Sequence, residues 1–194
     1  MNVDVAKHRP MVFLDIETTG GSPVDSRITE IGALRVENGT VVATYNQLLN
    51  PEQSVPWFIT KLTGIKDDML WDQPSFVGVA DDLEYFLRDA IFVAHNVNFD
   101  YSFIKESFRR LGTGGSFNMD RFCTARLSRR LYPQQARHNL DTIIKTHGIE
   151  VANRHRALDD AQVLYEFYKL AMQEHGLRLF AAIDAIMIRT SKLA

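Results

Sequence analysis

The dipeptide Asn38-Gly39 separates two β-rich segments, Arg27–Val36 and Thr40–Leu49. Asn-Gly supplies the positive φ values that a tight type I′ turn requires, so the two segments are expected to pair as an antiparallel hairpin. Before them, the apolar run Met11–Ile16 ends in the polar cluster Thr18–Pro23, the pattern of a buried strand entering a turn. It reads as the first and central strand, which makes three antiparallel strands. After Pro51 the periodicity changes. Pro56–Thr63 is a short helix candidate, and Ser75–Asp89 carries Phe76, Val79, Ala80, Leu83, Phe86 and Leu87 at a 3.6-residue spacing. Ile91–Ala94 then reads as a buried parallel strand. Beyond it come a helix at Phe99–Leu111 with Asn98 as its N-cap, a glycine-rich link at Gly112–Gly115 and a short strand near Phe117–Phe122. Helices are predicted at Thr124–Leu131, Leu140–His147, Ala157–His175 and Leu177–Ile188. A meander followed by alternation with helices predicts a mixed α/β sheet flanked by helices. A single domain over residues 1–194 is expected, with a core at 11–175 and a helical tail at 176–194.

Composition narrows the class. The 194 residues include 22 Lys+Arg and 24 Asp+Glu, a net charge of −2, which excludes a strongly basic nucleic-acid coat protein and an acidic disordered tail. A chain of this length buries roughly 70% of its extended surface without staples. The one cysteine, Cys123, has no intrachain partner, and no Cys/His cluster suggests zinc. Met1–Pro10 lacks an apolar core of signal-peptide length, and no run approaches the roughly 18 apolar residues of a membrane span, so a cytoplasmic, non-membrane protein is expected. The mean charge hides a division. Residues 1–100 hold 7 basic and 15 acidic side chains, and 101–194 hold 15 and 9. From Arg121 to Leu140 there are five arginines (Arg121, Arg126, Arg129, Arg130, Arg137) and no acid, either a solvated helix face or a field that attracts phosphate.

Three segments carry chemistry. Asp15 and Glu17 are two apart at the end of the first strand, so both project from the same face of the sheet. Such a pair repels itself unless a cation lies between, and oxygen ligands of this kind suit Mg²⁺ or Mn²⁺. Alone, Asp-x-Glu is common. The second segment, His95–Asp100, follows the parallel strand, whose C-terminal end would lie beside that of the first and bring Asp100 to Asp15 and Glu17. Alone, it would be a helix cap. The third, His155–Asp160, opens the long C-terminal helix, with Asp160 in the first turn and His155 on the preceding loop. A neutral imidazole there can take a proton from water. Read singly, these are an exposed histidine and helix-start acids.

Taken together, DIETTG, HNVNFD and HRALDD resemble the three motifs of the DEDD superfamily of 3′→5′ exonucleases in its His-containing, DnaQ-like branch. The resemblance runs from Met11 to about Leu170. It is strongest to the branch holding the proofreading epsilon subunit of bacterial DNA polymerase III and the exonuclease domain of Gram-positive polymerase C. It implies a ribonuclease H-like fold and a two-metal hydrolysis of the terminal phosphodiester that releases 5′-mononucleotides. Asp15, Glu17, Asp100 and Asp160 would hold two divalent cations, Mg²⁺ or Mn²⁺, and His155 would deprotonate the attacking water. Asp160, five after the histidine, matches the motif. Asp159 is assigned to the helix start.

The resemblance also implies substrate contacts from Thr18 and Phe99, and from Leu62, Gly64 and Ile65 of an apolar-x-Gly-Ile element in which Thr63 stands where epsilon-like members have histidine. As residues alone, Leu62 and Ile65 read equally well as core. Asn96 would meet the sugar or brace the metal site. The Arg121–Arg137 stretch with Lys105, Arg109 and Arg110 could supply a backbone-tracking groove for single-stranded DNA. The leading expectation is an exonuclease acting on DNA 3′ ends, in proofreading or repair, with a polymerase or other replication subunit as a possible partner. An exoribonuclease or oligonucleotide nuclease, and a non-catalytic subunit docking on a polymerase or helicase, are the alternatives. Nothing in the motifs reads a 2′-hydroxyl.

Overall fold

The computed structural model describes residues 9–112 and 117–190. Residues 1–8, positions 113–115 of the expected glycine-rich link and positions 191–194 of the tail lie outside the described residues. Five strands form one sheet in the order β3-β2-β1-β4-β5. The strands β1 (Met11–Thr18), β2 (Ile28–Glu37) and β3 (Thr40–Leu48) are the antiparallel meander turning at Asn38 and Gly39, both with positive φ. Three helices follow: α1 (Trp57–Thr63), the single turn α2 (Asp67–Leu70) and α3 (Phe76–Leu87). The strand β4 (Ile91–Ala94) runs parallel to β1, and β5 (Arg121–Cys123) parallel to β4, with α4 (Asn98–Arg110) between them. The chain ends with α5 (Thr124–Leu131), α6 (Leu140–His147), α7 (Ala157–His175) and α8 (Arg178–Ile186). This is the ribonuclease H-like architecture, a mixed sheet of three antiparallel and then parallel strands flanked by helices.

Alternation along β1 divides the core. Met11 and Phe13, with Leu34, Val36, Ile91 and Val93, face α7 and α8. Val12, Leu14 and Ile16, with Ala33, Phe92 and Ala94, face α3 and α4. Phe13, Phe92, Phe103, Phe122 and Phe167 are completely buried, each contributing about 1.5–3 kcal/mol relative to exposure. Three local expectations change. Phe117 leaves the ladder and stacks on Phe108, ring centroids 5.0 Å apart, which confines β5 to three residues. Asn98 is the first helical residue of α4 rather than its cap; the turn closes through the backbone, Phe99 N–H donating to Asn96 O at 2.8 Å. The apolar helix after Gly176 packs against the Phe13 face of the core, and Ile188 beyond it bridges antiparallel to Arg121, covering the edge that β5 would otherwise expose. Among the described residues, no helix is long and apolar enough to cross a membrane.

Candidate active site

Asp15 and Glu17 continue the row begun by Met11 and Phe13, so they point to the side covered by α7. Their partners across the antiparallel ladder are Gly32 and Glu30. Those two β2 residues dock the helix. Glu30, 1% exposed, accepts the Ala157 backbone N–H at 3.0 Å and a forked pair of bonds from Arg156 at 2.7 and 3.1 Å. Gly32 provides clearance: a Cβ there would lie 2.0 Å from Leu158 N and 2.2 Å from Ala157 C. The first turn of α7 therefore rests directly on the sheet, and its Asp160 is buried beside Glu17. His155 precedes the helix with φ 62°, a left-handed conformation that costs a non-glycine residue about 1–3 kcal/mol. Its backbone N–H donates to Asp160 Oδ2 at 3.3 Å. Metal-ligating atoms of Glu17, His155 and Asp160 all lie within 4.8 Å of one another.

Asp100 reaches the same rim from the opposite face of the sheet. It sits in the first turn of α4, nearly inaccessible, and its carboxylate is supported by its own backbone N–H and that of Ile16, the residue between Asp15 and Glu17. Burial outweighs those bonds and raises its pKa to about 8. Burial likewise raises Glu17 to about 8, with Asp160 and Glu30 adding repulsion and Arg154 opposing it. Asp15 is raised by burial and then by Asp100, Asp160 and Glu17. Asp160 is raised by burial, against the pull of Arg154. Four mutually repelling carboxylates share one pocket of field.

Two features show that a cation suits this cluster. Asp160 Oδ1 is buried without a hydrogen-bond partner among the described residues, leaving a lone pair aimed inward. The guanidinium of Arg154 is drawn onto Asp160, with Asp141 as its other partner at 2.8 Å. Carboxylate oxygens with at most one imidazole form a donor set for Mg²⁺ or Mn²⁺.

The other residues singled out from the sequence separate. Thr18 is buried at the end of β1, opposite Ile28, and its hydroxyl donates to Gly20 O at 2.7 Å. Thr19 accepts from Gln53 Nε2 at 2.5 Å, tying the segment before α1 to the end of β1. Leu62 is half exposed on α1, and Gly64 closes that helix at φ 75°. Ile65, expected as a base contact, is fully buried with Val55 and Leu70 and presents no surface for stacking. Asn96 is exposed at φ 60°, and Phe99 packs its ring 4.9 Å from Phe103. Asp159 accepts from Asn153 Nδ2 at 3.0 Å. The broad basic groove is narrower than expected. Arg109 and Arg110 pair with Glu106, and Arg121 lies 3.9 Å over the Tyr101 ring. Sequence reasoning missed Glu30, Gly32 and Arg154. The signal for the first two was present as an acid and a glycine interrupting the apolar strand Ile28–Val36.

Comparison with known proteins places this geometry. The family model RNase T, described as an exonuclease, matches residues 12–168. Among curated relatives, the PolC-type DNA polymerase III of Caldanaerobacter subterraneus subsp. tengcongensis is 38% identical over 181 residues, covering 91% of this chain and 13% of that protein. The PolC-type DNA polymerase III of Halalkalibacterium halodurans is 39% identical over 153 residues, covering 78% of this chain and 10% of that protein. The chain thus spans a small fraction of the length of these relatives. Among solved structures, exonuclease X in complex with 5′-overhanging duplex DNA aligns with a TM-score of 0.69 at 23% identity, over 86% of this chain and 93% of that one. The zinc-bound E. coli exonuclease I–ssDNA complex aligns with a TM-score of 0.77 at 19% identity, over 92% of this chain and 43% of that one. At those identities the likeness to the solved structures is one of fold. The family model covers most of the chain and runs through all three acidic motifs, and on that ground the chain belongs to the RNase T family of exonucleases, in its DnaQ-like group.

Proposed function

We propose that this chain is a divalent-metal-dependent 3′→5′ exonuclease that removes 5′-mononucleotides from single-stranded or frayed DNA 3′ ends. The observation that carries the reading is the convergence of Asp15, Glu17, Asp100 and Asp160 with His155 at one end of the sheet, from both of its faces. In this reading the four carboxylates hold two divalent cations, Mg²⁺ or Mn²⁺, which when bound supply positive charge to the attacking water and the leaving 3′ oxygen. His155 takes the proton from the water, its backbone held to Asp160 in the left-handed turn. The Thr18 backbone, Leu62, Gly64, Phe99 and Asn96 bound the space for the terminal nucleotide. Ile65 supports that wall from within. Residues 1–194 act as one exonuclease domain in the cytoplasm, and the polymerase relatives support an association with a replicative polymerase or other repair subunit.

The test is digestion of 5′-labelled single-stranded, mismatched and fully paired DNA, and of matched RNA, with Mg²⁺, Mn²⁺ or EDTA. A ladder shortening from the 3′ end on DNA, abolished by EDTA, is expected. Faster loss of RNA would transfer the activity to an exoribonuclease, and no metal-dependent product on any substrate would leave a docking subunit.

A further inference from the structure

Of the five arginines between Arg121 and Leu140, Arg121 is occupied by the Tyr101 ring. The other four (Arg126, Arg129, Arg130 and Arg137) are exposed and form no ion pair among the described residues. Of the other exposed arginines, Arg109 has Glu106 and Arg189 has Asp184 as acidic partners, Arg88 lies over the Tyr85 ring, and Arg178 forms no ion pair among the described residues. Arg126 and Arg129, one turn apart on α5, line an open groove of about 460 Å³. Among the described residues no carboxylate lines it. Its other wall is the link from β4 to α4, His95 to Asn98, which leads directly into Asp100.

His95 joins the groove to the catalytic cluster. Its Nδ1 lies 3.0 Å from Thr124 Oγ1 at the start of α5. It is close enough to both Arg154, which contacts Asp160, and Arg129 that their charges join burial in lowering its pKa to about 4. The His95 end of the groove thus lies toward Arg154, the guanidinium that contacts Asp160. His138 and Asn139 add polar groups along its floor, His138 hydrogen-bonded to Ser128 at 2.8 Å. Unpaired guanidiniums in a groove without acids match a phosphodiester backbone, which takes forked hydrogen bonds and displaces counterions. An enzyme with a 3′-terminal nucleotide in its site has the remaining strand on the 5′ side alone.

We infer that Arg126 and Arg129 form a phosphate seat for the strand immediately 5′ of the scissile bond, anchoring a single-stranded end whatever its sequence. This inference rests on the exonuclease reading for its placement of the strand, and binding can be measured apart from turnover. The intact chain is titrated in EDTA against a 5′-fluorescein oligothymidylate by anisotropy at several salt concentrations. Hydrolysis of a 16-mer, roughly the longest site of one binding fold, is compared with that of a p-nitrophenyl ester of thymidine monophosphate. For Arg126→Ala/Arg129→Ala the oligomer Kd is expected to rise about tenfold, and the slope of log K against log salt to flatten by about 1.4. The kcat/KM ratio of oligomer to ester should fall about tenfold, and Arg126→Lys/Arg129→Lys should recover most of the salt slope. An unchanged slope and ratio in the alanine variant, or an equal loss on both substrates, overturns the seat. A wild-type chain that binds the oligomer through these arginines yet hydrolyses neither substrate with Mg²⁺ or Mn²⁺ overturns the exonuclease reading and keeps the seat as a strand-binding site.

Discussion

His155 shows how one residue can be legible in sequence for its chemistry and illegible for its conformation. The motif it shares with Asp160 proposes it as a base, whereas its φ of 62° belongs to the abrupt start of α7, where Arg156 docks on Glu30. Proximity to Glu17 and Asp160 makes two roles geometrically open to the imidazole, base and ligand. As a base, His155→Ala should lose about 10²–10⁴-fold in turnover while calorimetric titration gives a Mn²⁺ affinity equal to that of the unaltered protein. A weakened Mn²⁺ affinity would instead put the imidazole among the ligands. Asp15→Ala and Asp160→Ala should lose both turnover and Mn²⁺ binding, and full activity in either would sink the metal-centred account. Leu62 and Ile65 make the complementary point. Both are apolar residues of one short element, but only Leu62 retains exposed surface, because Ile65 follows the left-handed Gly64 and turns inward onto Val55 and Leu70.

Among the elements, α7 and β2 decide whether the site exists. The helix carries Asp160, but two β2 residues set its height above the sheet. Gly32→Ala would bring a methyl within 2.0–2.4 Å of helix backbone, which cannot yield as a flexible side chain can. We expect a loss of about 3 kcal/mol in urea unfolding, at the upper end of overpacking costs, with Mn²⁺ affinity falling because Asp160 moves with the helix. Glu30→Ala would leave the buried Ala157 N–H without its acceptor and Arg156 without its acid, a cost of about 3 kcal/mol. Both are checked by the same unfolding curves. The boundaries of α5, α6 and α7 are as read from the sequence, since apolar spacing and local stops such as Gly148, left-handed at φ 63°, are contained within each segment. Of the strand expected near Phe117–Phe122 only Arg121 and Phe122 join the ladder, as part of β5, because alternation cannot distinguish a β edge from a loop whose aromatic ring is recruited by Phe108 and Tyr101.

For the molecule as a whole, the cluster of acids couples stability to pH. An acid whose pKa is higher folded than unfolded keeps its proton in the native state between the two values, so stability falls as pH rises through that window. For Asp100 and Glu17 the window runs from their ordinary values of 3.8 and 4.5 up to about 8. In EDTA the unfolding free energy should therefore decline between pH 5 and pH 8, by up to about 1.4 kcal/mol per pH unit for each group retaining its proton, and the melting temperature should fall with it. Saturating Mg²⁺ or Mn²⁺ should abolish the decline, since a cation favours the ionised form. A flat melting profile in EDTA would contradict the shared field of the four acids. The last helix is a second test at this scale. Ile183 is fully buried in the same core as Phe13 and Phe167, so Ile183→Ala should cost about 2–5 kcal/mol in the same cooperative transition. A separate, earlier transition would mark Arg178–Ile186 as an independent appendage.

The hairpin at Asn38-Gly39, the helix periods and the order of the acidic motifs are legible along the chain, because each depends on residues a few positions apart. The choice among exposed arginines, the inward turn of Ile65, the place of α8 and the docking of α7 depend on contacts between distant segments. Arg156 and Glu30 are 126 positions apart. A local pattern records which face of a segment is apolar; the neighbour that the face meets depends on how the sheet closes, and that meeting turns five scattered side chains into one site.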